Sequence, residues 1–263
     1  MHEIRKLGAA QGWEWVAGGW DIFRRQAGML VLLFVIFSVI LLGLGSVPVA
    51  GQLIALLATP ALMGGLLVAI ETTAHGQAPG FGQLFAAFSD PRLRGGMLTL
   101  GLWTLVVNVI ALLAAILLGG SFIMSLLGFG AMGGGHMGGM ALVGAGAGIG
   151  LFALLGVLLL ALIYAAALFF AVPLVMLADM APLAALKLSL RANMHNIGAW
   201  LIFGLVYLAL TLVAMIPLGL GLLIIGPMSI ASTYCAYLDT FTSLARSTTQ
   251  PADRLPPGSG DTA

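Results

Sequence analysis

Asp179-Met180-Ala181-Pro182-Leu183-Ala184-Ala185-Leu186-Lys187-Leu188-Ser189-Leu190-Arg191-Ala192-Asn193-Met194-His195-Asn196-Ile197-Gly198-Ala199-Trp200 lies between two long apolar runs, and is one of the few places where charge interrupts them. Pro182 suits the first turn of a helix, where its missing N–H costs nothing. On helical spacing Leu183, Leu186, Leu190, Met194 and Ile197 make one stripe, and Lys187, Arg191 and His195 make a second beside it. Leu188 and Ala192 blur the far side. The pattern predicts a short basic helix lying in the headgroup region and leading into a membrane span at Ile197. Two similar segments occur earlier in the chain, and their recurrence sets the expected architecture.

Composition defines the class. Of 263 residues 61% are hydrophobic and 7% charged, with mean hydropathy +1.13, where soluble domains carry about 25% charged residues. A soluble globule of this composition could not cover its surface with polar groups, so the chain reads as a polytopic membrane protein. The net charge of +1, with no basic arm and no Cys/His finger, gives no reason to expect nucleic acid. Cys235 is the single cysteine and excludes an internal disulfide.

Working outward from the opening segment, spans are expected at about 27–45, 52–70, 96–118, 151–178, 197–215 and 220–238, each near or above the ~20 residues a bilayer needs. Kinks are expected at Pro173 and at Gly226-Pro227. Tight turns, Ser46 to Gly51 and Ile216 to Gly219, join the first and last pairs, and the Gly-rich stretch 119–150 joins the middle pair. The lead 1–26 contains Trp13, Val16, Ala17, Trp20 and Phe23 at helical spacing and predicts the first interfacial helix. It is read as retained: the lead is long for a signal peptide, and Pro48-Val49-Ala50 is a poor cleavage site. Phe81, Leu84, Phe85 and Phe88 share a helical face and predict the second interfacial helix. The tail 246–263, with Pro251, Pro256, Pro257 and Gly258, reads as disordered and cytoplasmic.

Charge placement then orients the chain. With six spans, the connections 46–51, 119–150 and 216–219 share one side and carry no Lys, Arg, Asp or Glu. All ten basic and nine acidic residues fall on the other side. A charge at mid-span costs about 2.5–3.5 kcal/mol on insertion scales, and basic residues collect on the cytoplasmic side, so both termini are expected there.

The expected fold is therefore an all-α, polytopic membrane helix bundle within 1–245, built as three helix-hairpin repeats over about 12–71, 81–179 and 182–239. Each repeat gives an interfacial helix, a span outward and a span back. Each returning span contains a proline and closes on an acid: Pro60 and Glu71, Pro173 and Asp179, Pro227 and Asp239. An acid at a helix C-terminus opposes the macrodipole by about 0.3–1 kcal/mol, so Glu71, Asp179 and Asp239 should seek cations. Arg24, Arg25, Arg92, Arg94, Lys187 and Arg191 are the candidate partners. The same six form a candidate collar for anionic lipid headgroups, at roughly 1 kcal/mol per cation. The competing reading is that they only mark the membrane boundary and obey the positive-inside rule.

Several motifs carry a family resemblance. Gly12-Trp13-Glu14-Trp15 with Phe23-Arg24-Arg25, Phe81-Gly82-Gln83-Leu84-Phe85, the run Pro182 to Asn193, and Tyr234-Cys235-Ala236-Tyr237-Leu238-Asp239-Thr240-Phe241 resemble the uncharacterised family of small six-span inner-membrane proteins of proteobacteria. The likeness covers nearly the whole chain except the Gly-rich connection and the tail. It implies six helices in the bacterial inner membrane, and it carries over no catalytic residue.

Chemistry-bearing motifs are sparse. Gly144-Ala145-Gly146-Ala147-Gly148-Ile149-Gly150 follows no strand and precedes no acid at nucleotide-fold spacing. Met132, His136, Met137 and Met140 have the softness for Cu(I), but in a low-complexity run they read as an adaptable apolar loop, so no metal or cofactor is expected. Asn108 is the strongest polar group inside a span and is expected to hydrogen-bond between helices rather than to bind a solute. Ala61, Gly65 and Ala69, and likewise Ser232 and Ala236, form small-residue ridges that mark close packing. Two functions remain ahead of an enzyme. One is a non-catalytic module organising membrane lipids, partner membrane proteins or copies of itself. The alternative is a permease or export component for a small neutral or apolar solute. A cavity lined by Asn108, Tyr164 and Tyr207 would favour the permease.

Overall fold

The computed structural model describes residues 4–126 and 136–242, with side chains described outside 117–151 and 153. The expected tail and Met132 lie outside the described residues, as do the side chains of His136, Met137 and Met140. The helices are α1 (Gln11–Arg25), α2 (Ala27–Gly45), α3 (Ala50–Ala74), α4 (Ala86–Ser89), α5 (Pro91–Leu126), α6 (His136–Phe169), α7 (Ala171–Ala178), α8 (Pro182–His195), α9 (Ile197–Met215) and α10 (Leu222–Thr240), with a 3₁₀ turn Phe81–Phe85 before α4. Among the described residues six stretches are long and apolar enough to cross a membrane: α2, α3, Pro91–Ile116 of α5, Leu154–Ala178 through α6 and α7, α9, and α10. The chain is an all-α multi-pass membrane bundle.

Burial separates the spans into two kinds. Half of the apolar window of α3 and 44% of that of α10 is buried, against 11–22% in the other four. Thus α3 and α10 form the centre, through Leu62, Leu66, Leu67 and Ile70 on one and Tyr234 and Tyr237 on the other, and the remaining spans face outward. Exposed leucines on those outer spans are what a lipid solvent permits.

Helix continues into the Gly-rich stretch, which had been expected to be a connection. α5 has 36 residues and α6 has 34, so each is about 50 Å long at 1.5 Å per residue, well beyond the ~30 Å of hydrocarbon. The short connections are tight, with Val49 at φ 59°, Leu218 at φ 56° and Gly219 at φ 80°.

All three expected interfacial elements dock into the bundle through buried faces. The lead is helical only from Gln11. Residues before it are pinned by Asn196, whose side-chain amide donates to the Arg5 carbonyl (3.0 Å) and accepts the Leu7 N–H (2.8 Å). The buried face of α1 is Gly12, Trp15, Val16, Gly19, Ile22 and Phe23, whereas Trp13 and Trp20 stay exposed. Glycine decides this face. A Cβ on Gly12 would strike the Ala199 carbonyl of α9, and one on Gly19 would strike Ser232 of α10. The Ser232–Ala236 ridge thus receives α1 rather than another span. The Ala61–Gly65–Ala69 ridge likewise receives the 3₁₀ turn, because the Leu84 carbonyl lies where a Gly65 Cβ would be.

The second element is that 3₁₀ turn followed by one turn of α4, not a continuous helix. Leu84 and Ala87, three apart and eclipsed by 3₁₀ geometry, point inward, while Phe81 and Phe85 are exposed. In α8 the expected apolar stripe largely faces outward: Leu183, Met194 and Ile197 are exposed and Leu186 alone is buried. The buried face is Ala185, Leu186, Ser189, Ala192 and Asn193. Small and polar groups point inward because the surface beneath them is an interrupted helix.

Candidate functional site

That interruption begins with Pro173. Its missing N–H frees the Phe169 carbonyl and its ring turns the helix. The break appears at Phe170, between α6 and α7, a few residues before the expected kink at Pro173 itself. The Ala166–Phe170 rung of the helical ladder is replaced by a side chain. The Phe170 N–H donates to Ser189 Oγ (2.9 Å), and Ser189 Oγ donates to the Ala166 carbonyl (2.8 Å). Asn193 Nδ2 donates to the same carbonyl (2.7 Å). Ser189 is wholly buried, so no water competes for these groups. A hydroxyl inserted into the ladder holds the helix open at a chosen angle.

Two cavities meet at this break. The first, about 200 Å³, lies among Pro60 and Met63 of α3, Thr104 of α5, Phe169, Pro173, and Ser229 and Thr233 of α10. The second, about 480 Å³, lies between α2, α9 and α10, against Phe34, Phe203, Tyr207 and Gly226. Phe169, Ser229 and Thr233 line both. Phe169 is held by edge-on contacts with Phe170 (4.7 Å between centroids) and Phe203 (5.0 Å). Thr104 lies ten residues beyond Arg94, and Ser229 ten before Asp239, so the cavities sit about 15 Å from the charged end, near mid-membrane.

The sequence-expected residues are distributed as follows. Tyr207 lines the second cavity. Tyr164 stands one bond behind the first, its OH donating to Thr104 Oγ1 (2.6 Å). Asn108 does not bridge helices among the described residues. It is exposed, and its amide donates to the Thr104 carbonyl of its own helix (2.8 Å). Arg24, Arg25, Arg92, Arg94, Lys187 and Arg191 are all exposed at one end of the bundle. Arg24 pairs with Asp21 (3.0 Å), and Arg25 donates to the Ala74 carbonyl (3.1 Å).

The acids behave unlike one another. Asp239 is ion-paired, but with Arg5 (2.8 Å), which was not among the expected cations, and it also accepts Trp15 Nε1–H (3.2 Å). Asp179 makes no ion pair among the described residues. It is exposed and caps α7 in the left-handed region at φ 48°, a conformation Asp tolerates because its side chain can bond locally. Glu71 is half-buried and likewise makes no ion pair among the described residues; its carbonyl accepts the His75 N–H. Among the described residues no group of three or more His, Cys, Asp or Glu could hold a metal ion.

Sequence reasoning missed Arg5, Phe169, Ser189 and Asn193. One signal was present: Ser189 and Asn193 are four apart on α8, opposite the exposed cations, where a lipid-facing helix would carry alkyl groups. No family model matches the chain, and neither the curated proteins nor the solved structures compared with it include a match.

Proposed function

We propose that this chain is a non-catalytic, multi-pass module of the bacterial inner membrane, with both termini cytoplasmic, that takes neutral membrane amphiphiles into its interior and organises lipid around itself. One observation carries the reading: two adjoining, predominantly apolar cavities at mid-membrane, sharing Phe169, Ser229 and Thr233. The larger falls within the 300–1,000 Å³ range of ligand pockets, and the smaller exceeds the ~150 Å³ that suffices for benzene in an apolar core. Ionised groups are absent from the cavity walls, so a neutral chain is the occupant they solvate best.

The exposed cations support the second half of the proposal. Lys187 and Arg191 lie one helical turn apart on the outer face of α8, beside exposed Leu183 and Met194. Together they offer an anionic headgroup both charge and an apolar seat. The test is purification in native lipid followed by native mass spectrometry. A neutral amphiphile should accompany the wild-type protein, and retained anionic phospholipid should fall in the Lys187→Gln/Arg191→Gln variant. Retention unchanged in that variant would remove the headgroup role. Absence of any bound neutral molecule would count against the interior site.

The permease reading is favoured by one further feature. Phe169 sits at a helix break, and transporter folds build their substrate sites from discontinuous helices near the midplane. Flux of a neutral amphiphile through proteoliposomes, above that of empty vesicles, would convert holding into passage.

A further inference from the structure

The hydrogen-bond pattern around the first cavity is one-signed. Thr59 Oγ1 donates to the Ala55 carbonyl (2.7 Å) and Thr104 Oγ1 to the Leu100 carbonyl (2.9 Å). Ser229 Oγ donates to the Gly226 carbonyl (2.7 Å) and Thr233 Oγ1 to the Ser229 carbonyl (3.0 Å). A hydroxyl has one proton and two lone pairs. All four have placed that proton on their own helix, so what they show the cavity is lone pairs. The Tyr164 hydroxyl behind Thr104 has its proton on Thr104 Oγ1. Pro60 and Pro173, also in the wall, remove two N–H donors and leave the Leu56 and Phe169 carbonyls without their helical partners. The polar groups of this cavity accept and do not donate.

We infer that the first cavity selects a neutral molecule whose polar end is a hydrogen-bond donor, namely an apolar chain ending in a hydroxyl, and discriminates against the matching ether or ester. The inference rests on the proposed interior site and names its ligand class. A hydroxyl fits because a donor at mid-membrane has no water to satisfy it, and the few polar groups in this otherwise apolar wall are acceptors. An ether oxygen would meet lone pairs with lone pairs. An ammonium would also donate, but its charge would lie at a depth where no carboxylate is among the lining residues. The chain of the ligand has the second cavity to extend into, past Phe169.

The experiment uses the full-length protein in lipid nanodiscs and a diazirine-bearing octanol as photolabel, with attachment sites mapped by mass spectrometry. Labelling is expected on Met63, Phe169 and residues between Ser229 and Thr233. 1-Octanol and heptyl methyl ether, equal in heavy atoms, then compete with the label. 1-Octanol should compete about tenfold better, the worth of roughly one net hydrogen bond. In the Ser229→Ala/Thr233→Val variant the advantage of 1-octanol should narrow several-fold, Thr59 and Thr104 remaining as acceptors, while ether binding is unchanged; an advantage that stays tenfold would overturn the acceptor role of the α10 hydroxyls. Equal competition by the two in the wild-type protein would overturn the donor rule and leave the interior site standing. Labelling that avoids both cavities would overturn the interior site and this inference with it.

Discussion

Ser189→Ala removes one oxygen from the point where α6 ends, and it tests whether a side chain holds the break. In the variant the Phe170 N–H loses its acceptor, while the Ala166 carbonyl keeps Asn193. Only one side of the bridge is orphaned. A buried donor without a partner costs about 1–3 kcal/mol in soluble proteins. Hydrogen bonds between membrane helices average nearer 0.6 and reach about 1.7 kcal/mol, since an unfolded chain in lipid also finds partners. Complete burial of Ser189 places this site toward the upper end, at about 1–1.5 kcal/mol. The loss can be read from the midpoint of unfolding when SDS is titrated into mixed micelles. A second background sharpens the assay. Pro173→Ala returns the missing donor and relieves the ring, so α6 can run through into α7 and close its own ladder. There Ser189→Ala should cost under about 0.5 kcal/mol, a coupling of at least about 0.5–1 kcal/mol against the ~0.3–0.5 kcal/mol scatter of independent sites. Equal losses in the two backgrounds, or no loss in the first, would refute the claim that Ser189 replaces the broken rung.

Three other outcomes follow from the packing. Gly19→Ala should destabilise by about 1–3 kcal/mol because its Cβ overlaps Ser232; Gly28→Ala, with open space around it, should stay within ~0.5 kcal/mol of wild type in the same SDS titration. Asp239→Asn should lower stability by less than about 1 kcal/mol, because Arg5 is largely exposed, yet it should speed tryptic cleavage after Arg5 and Lys6. Unchanged cleavage would mean that Asn196 and the Arg5 N–H bond to the Thr240 carbonyl (3.2 Å) hold the lead without the ion pair. In a Cys235→Ser background, Leu218→Cys and Gln77→Cys should react with impermeant thiol reagents from opposite faces, and reaction of both from one face would exclude the six-span path.

Much of the architecture was legible because lipid imposes rules that a sequence must display. A span needs an unbroken apolar run, and charge is expelled to its ends. The runs around Ala27 to Gly45 and Ile197 to Met215 therefore coincide with α2 and α9 at both ends. The small-residue ridges on α3 and α10 were equally visible, since close approach demands residues without bulk. What they receive was not visible. Nothing in Ala61, Gly65 and Ala69 says that a 3₁₀ turn rather than a helix will lie on them.

The hydrophobic stripes of α1 and α8 do not decide their inward faces: Val16, Phe23 and Leu186 are buried, but Trp13, Trp20, Leu183 and Met194 are exposed. In water an apolar stripe points to the core. In a membrane the surroundings are as apolar as the interior, so periodicity loses its meaning and the buried face is chosen by shape and hydrogen bonding. Gly12 and Gly19 turned α1 toward α9 and α10 because only there can backbones approach closely. Ser189 and Asn193 turned α8 toward the break because the Phe170 N–H and the Ala166 carbonyl await them there. The acids tell the same story: Asp239, Asp179 and Glu71 occupy equivalent places in the chain, yet one is ion-paired, one caps a turn, and one has no ionic partner among the described residues. The sequence alone determined which segments are long and apolar enough to cross a membrane, because that depends on transfer of each segment from water. The break at Phe170, the cavities beside it and the partners of each polar group were decided by tertiary structure, because they depend on which helices come to lie together.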